Sequence, residues 1–374
     1  MPRSVKGAAA RNPSERCLRC VLMRGDRFGT HRVIVDSPPL AGTSPAVTLP
    51  QAARRLNNDF DSVYDDELLL EVERLNIDSA SFVQMEGQGD VAAQVLETVR
   101  TRGKQHNPVT GSGGMLLGRV ARVGSALAEL KSPLAELQKG DRVATLVSLT
   151  LTPLRIDRIV SVDPKRHQIV CAGQAVLFAS GMAAKMPADL PESVALAAFD
   201  VAGAAPQVAR MTKPGARVLI LGCGGKSGLL TSAAARRAGA ARVIGVERSD
   251  EAAASARRLG AVDEIVIGDA NDAVAIATRA MKAGGGEFDL TVSCVNVPDA
   301  EMAAILATRD GGVIYYFSMS TSFTKAALGA EGVSRDVTMI VGNGYAPGHA
   351  EATLALLRAE PELRAIFVER YKAD

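Results

Sequence analysis

Cysteine is scarce in this chain: five in 374 residues. That is too few for a disulfide framework. Cys17 and Cys20 form a lone CxxC, without the second pair that a zinc knuckle needs. Cys171, Cys223 and Cys294 stand singly in apolar, strand-like runs, where free cysteine behaves as a small hydrophobe. An excess of one charge is lacking too. The 43 basic and 41 acidic residues leave a formal charge of +2, which argues against a nucleic acid or membrane-surface partner. No uncharged apolar run approaches the roughly 18 residues of a membrane span. The basic, Ser-containing start is followed by no apolar signal core. The expectation is a cytoplasmic protein with a flexible tail over residues 1–24. Repeats and low-complexity tracts are absent apart from alanine-rich helical stretches.

What is present is enough for ordinary cores, with 47% hydrophobic and 22% charged residues. The length suggests two domains. Residues 25–180 read as mainly β, with short strands at 68–73 and 116–123 and another after the turn at 139–141. Residues 44–58, around Pro50, read as a short polar helix-like segment, and 104–114 as a Pro/Gly/Ser loop. Residues 181–345 alternate differently. Apolar strands at 217–221, 242–246, 264–267, 288–295, 313–317 and 337–341 are separated by helical patterns such as 229–238 and 250–259. Such alternation predicts an α/β fold with a six-stranded, doubly wound parallel sheet. Residues 346–374 read as a C-terminal helix returning toward the first domain.

The most informative stretch joins the first parallel strand to its helix. It carries Gly222, Gly224, Gly225, Lys226, Ser227 and Gly228, one residue longer than GxGxxG. Glycines here let the backbone approach a pyrophosphate, and the helix N-terminus offers free N–H groups. A Walker A loop is excluded, because Ile220 stands where its first glycine belongs. Glu247 ends the next strand, about 20 residues on, where an acid accepts the adenosine ribose hydroxyls and repels a 2′-phosphate. NAD is the expected cofactor, although Arg248 could attract that phosphate. Cys294, ending the fourth strand, joins the cofactor group.

Together, residues 68–81, 109–124 (VTGSGGMLLGRVARVG), 139–143 (KGDRV) and the Rossmann half resemble the medium-chain dehydrogenase/reductase family over nearly the whole length. That resemblance implies a GroES-like substrate domain before the Rossmann domain, and a homodimer or homotetramer. Alcohol-oxidising members carry zinc ligands where this chain has Asp78 and Ser79, and Ser112 and Gly113. The family's four-cysteine zinc lobe is also missing, so no metal is expected. Residues 28–32 (FGTHR), 76–82 (NIDSASF) and 106–114 (HNPVTGSGG) resemble a zinc-free, amine-oxidising branch. It implies NAD-dependent oxidative deamination of a small diamino acid in lysine fermentation.

Hydride can leave an amine-bearing carbon only after the ammonium loses a proton, so a base is required. A substrate with two ammonium groups and a carboxylate needs acids and a basic group around it. Asp78 is the first choice for the amine, with capping of a helix near Ser81 as the alternative. Glu86 is the second, unless it is a solvated charge. His106 is a candidate base or shuttle, unless it is a loop histidine bonded to backbone. Lys104 could hold the carboxylate or act as base, unless it is merely solvated. Ser79, Ser81, Asn107, Thr110 and Ser112 are candidate orienting groups. Competing readings are a zinc-free quinone or enoyl reductase and a non-catalytic nucleotide-binding protein.

Overall fold

The computed structural model describes residues 24–35, 48–107, 111–318, 320–342 and 344–372. Cys17, Cys20, Thr110 and the Ser79 side chain lie outside the described set. The first strands, β1 (Val33–Ile34) and β2 (Arg55–Leu56), pair antiparallel. This pairing corrects the helix-like reading of residues 44–58, because a distant partner supplies the backbone bonds that a local helix would have made. The same segment is clamped by charge. Arg32 and Glu67 are buried and pair at 2.7 Å, and His31 Nε2 lies 2.9 Å from Glu67 Oε1.

Next come β3 (Glu67–Asn76), α1 (Ser79–Glu86) and α2 (Val91–Arg102). The mainly-β reading overlooked α2, whose signal is nonetheless clear. Asp90 caps it, Val91, Val95 and Val99 form one buried stripe, and Gly103 closes it at φ 65°. Then follow β4 (Met115–Val123), β5 (Arg142–Thr145), β6 (Leu154–Asp163), β7 (Gln168–Phe178) and β8 (Ala183–Lys185). They form an antiparallel sheet in the order β6-β7-β3-β4-β5-β8, closed over a core that includes Leu68, Leu70, Leu116 and Leu154.

Helices α3 (Glu192–Phe199) and α4 (Ala204–Met211) lead into the second half. It contains β9 (Arg217–Leu221), α5 (Lys226–Arg237), β10 (Arg242–Glu247), α6 (Asp250–Leu259), β11 (Glu264–Ile267), α7 (Ala273–Gly284), β12 (Phe288–Ser293), α8 (Glu301–Ala307), β13 (Thr308–Tyr316), α9 (Phe323–Gly332) and β14 (Val337–Val341). All pairs are parallel, in the order β11-β10-β9-β12-β13-β14. The order reverses between β9 and β12, which opens a crevice at the carboxyl ends of these strands. Finally α10 (His349–Ala359) and α11 (Pro361–Tyr371) pack back on α3, α4 and α5. No helix among the described residues is long and apolar enough to cross a membrane.

Candidate active site

At the carboxyl end of β9 the chain turns through Gly222 at φ 80°, a left-handed backbone that suits glycine. Gly228 lets α5 settle onto that turn, since a Cβ there would fall 2.0 Å from the Gly222 carbonyl. Gly225 begins α5 with no side-chain cap, and space around it is open. The helix N-terminus therefore offers uncapped amides and a positive dipole end to an anion. Glu247 Oε1 accepts from Gly224 N at 2.7 Å, so the acid that ends β10 also braces the loop. Arg248 is exposed beside it. Ser227 and Thr231 turn toward the Cys294 thiol, whose pKa burial pushes up to about 11, so it is a neutral thiol.

A cleft of about 490 Å³ lies in front of this loop. Its walls come from the end of β3, the β6–β7 turn, α3 and the end of α11. Asp78 lines it. Its Oδ1 caps α1 by accepting from Ser81 N at 2.9 Å. Its Oδ2 is buried and has no partner among the described residues. Capping and facing the cleft are thus two uses of one carboxylate. A second acid, Asp200, lines the same cleft just past α3. It pairs with Lys226 Nζ at 2.5 Å. Burial opposes the charge of Lys226, but Asp200 outweighs it and holds the pKa above the ordinary lysine value. Arg370 of α11 donates to the Gly224 carbonyl at 2.8 Å and so bridges helix and loop.

A polar chain holds these walls in register. Arg74 Nη1 donates to Gln168 Oε1 at 2.8 Å and reaches Glu192 of α3 at 3.1 Å. Gln168 in turn donates to Asn76 Oδ1 at 3.1 Å. The strand that leads to Asp78 is thereby tied to the helix that Asp200 follows.

Other residues singled out from the sequence lie elsewhere. Lys104 is only 1% exposed and donates to the carbonyls of Pro50 and Gln51 at 2.7 and 3.1 Å. Burial, with Arg102 adding, lowers its pKa to about 8. His106 is outside the cleft lining; burial, then Lys104 and Arg102, lower its pKa. Glu86 is exposed at the end of α1. Asn107 donates to Gln84 Oε1 at 2.8 Å, pinning the loop to α1, and Ser81 is buried in α1. Ser112 Oγ accepts from Gly114 N at 3.4 Å within the loop. Sequence reasoning missed Asp200, His167 and Arg370. The available signals were an acid closing the apolar run 194–199 and a basic cluster in the turn after Pro164.

Residues 42–187 match a family model described as the L-erythro-3,5-diaminohexanoate dehydrogenase N-terminal domain, and 227–342 one described as zinc-binding dehydrogenase. A relative from Acetoanaerobium sticklandii, named L-erythro-3,5-diaminohexanoate dehydrogenase, is 46% identical over 93% of this chain and its own full length. One of the same name from Fusobacterium nucleatum is 46% identical over 94% of this chain and its own full length. Among solved structures, an alcohol dehydrogenase from Thermotoga maritima superposes with a TM-score of 0.52 at 16% identity, covering 82% of this chain and 85% of its own. A mycobacterial quinone oxidoreductase gives 0.50 at 19% identity, covering 87% of each. The fold is that of the medium-chain dehydrogenases/reductases, and the relatives named as dehydrogenases make this chain an oxidoreductase. Within that class, the chain belongs to the L-erythro-3,5-diaminohexanoate dehydrogenase family.

The second model's description names zinc, but the donors here do not fit it. Among the described residues no three His, Cys, Asp or Glu side chains converge.

Proposed function

We propose that this enzyme oxidatively deaminates L-erythro-3,5-diaminohexanoate with NAD, giving 5-amino-3-oxohexanoate, ammonium and NADH in lysine fermentation. The observation that carries the reading is the unpartnered, buried Asp78 Oδ2 in a cleft it shares with Asp200. Buried polar groups are normally paired, so an orphaned carboxylate oxygen calls for a partner. The substrate brings two ammonium groups and one carboxylate; the cleft offers two acids and, around them, Arg166, Lys226 and Arg370.

Bound NAD would supply the hydride acceptor. The amides that open α5 and the Arg370 guanidinium would hold its pyrophosphate, and Glu247 would take the ribose hydroxyls. Asp78 holds the reacting ammonium, and the open cleft admits the water that replaces the nitrogen. The balance is diamino acid, NAD and water to oxo acid, ammonium, NADH and one proton. Incubation with NAD and the diamino acid should release NADH and ammonium in equal amounts. Absence of both products, or NADPH-dependent quinone reduction instead, would sink the reading.

A further inference from the structure

We infer that His167 is the proton acceptor of this deamination, an assignment that rests on the reaction proposed above. The chain has four histidines. His31 is spent on Glu67, His349 is buried in α10, and His106 is outside the cleft lining. His167 lines the cleft with Asp78 and Asp200. Imidazole is the side chain suited to exchanging protons near neutral pH.

His167 is held firmly to the unit that carries Asp78. Its carbonyl accepts from Ile77 N at 3.0 Å, one residue before the acid. Its ring packs on Phe82 of α1, the helix that Asp78 caps, with centroids 5.0 Å apart. Its backbone is left-handed, φ 54°, a conformation that glycine would take without strain. The charges around the imidazole are mixed. Asp78 at the start of α1 and Asp200 at the end of α3 line the same cleft, Lys165 and Arg166 precede the histidine on its own turn, and Lys226, Arg370 and Lys372 line it from α5 and the end of α11.

The substrate ammonium loses its proton to the imidazole and keeps the electron pair on nitrogen. Bound NAD would take the C3 hydrogen as hydride, which would leave an iminium on the substrate. His167 sheds the first proton to solvent through the open cleft. It then accepts one from the water that adds to the iminium carbon and passes it to the nitrogen. As the C–N bond breaks, the carbinol hydroxyl gives up its proton to become the oxo group, and the departing ammonia takes that proton and leaves as ammonium.

The test uses the full-length enzyme with NAD, the diamino acid, and His167→Gly and His167→Asn. Glycine suits φ 54°, so His167→Gly should fold and bind NADH like wild type. We expect kcat to fall at least about 100-fold, with KM within threefold. The acidic limb of the pH–rate profile should vanish, and added imidazole should restore much of the rate to His167→Gly. His167→Asn should show the same loss. A kcat within threefold of wild type with the limb intact would overturn the assignment. So would a loss that imidazole cannot restore while NADH affinity is unchanged. In both cases wild-type turnover leaves the proposed reaction standing. A wild type that makes neither NADH nor ammonium removes the reaction and this role together.

Discussion

The Lys226 ammonium sits 2.5 Å from the Asp200 carboxylate. One residue opens the helix behind the phosphate loop, and the other closes the helix that forms a cleft wall. Cofactor site and substrate cleft are therefore joined by a single ion pair. Asp200→Asn should lower kcat/KM for the diamino acid by about tenfold, less than a fully buried pair would cost, because the carboxylate is about a third exposed. NADH affinity should change less than tenfold, because the loop amides remain. Steady-state kinetics and calorimetry together check this, and near-normal kcat/KM would remove Asp200 from the substrate's contacts.

Asp78→Asn makes a second test. Asparagine caps a helix about as well as aspartate, so α1 should survive. The orphaned Oδ2 would lose its charge. Deamination should fall about 30-fold to a few thousandfold in kcat/KM, while thermal stability and NADH binding hold. An Asp78→Asn enzyme with kcat/KM within threefold of wild type shows that the carboxylate only caps the helix.

The proposed use of NAD makes Glu247 the residue expected to set the choice of cofactor. It ends β10 and accepts the Gly224 amide, so its charge lies at the loop edge. Wild type should prefer NAD to NADP. Glu247→Ser removes both the repulsion and a brace of the loop, so kcat/KM with NAD should fall while that with NADP rises. A swing of about 100-fold in the ratio corresponds to roughly 2.7 kcal/mol. A wild type that uses NADP as well as NAD would contradict this and make Arg248 the dominant contact.

The parallel sheet was legible because its strands are buried on both faces. Val218–Leu221 and Val243–Val246 are continuous apolar runs, and the glycines after Leu221 mark the phosphate turn. The cleft was not legible in the same way. Asp78, His167, Asp200, Lys226 and Arg370 come from five distant segments, and no local pattern announces their meeting. Asp78 stood out through the strand that precedes it and Lys226 through the glycines beside it, while His167, Asp200 and Arg370 did not. Lys104 and His106 drew attention because they sit in a polar loop, but local sequence does not reveal burial. The α2 helix was hidden by its β-rich surroundings, despite a stripe at helical spacing.

Lys104 separates a structural lysine from a catalytic one. Its ammonium is buried against two carbonyls of the 50–51 turn, well below its ordinary pKa of 10.5 at about 8. Between these values the unfolded chain binds more protons than the folded one. Stability must then rise with pH across that window, because the linkage slope follows the protons held by the unfolded state minus those held by the native state. Below about pH 8 the folded protein carries the buried charge at full cost. As the pH climbs toward 10.5, wild type should gain up to roughly 3 kcal/mol from this one group. Lys104→Met cannot titrate there and should lack that gain. Other groups titrating in the same range cancel in the difference between the two proteins. Urea unfolding of both at pH 7.5, 9 and 10 measures it. The same variant should keep kcat/KM for the diamino acid within threefold, since its ammonium never reaches the cleft. Parallel stability curves would mean that Lys104 titrates normally. A hundredfold loss of kcat/KM with an intact fold would return it to the list of candidate bases.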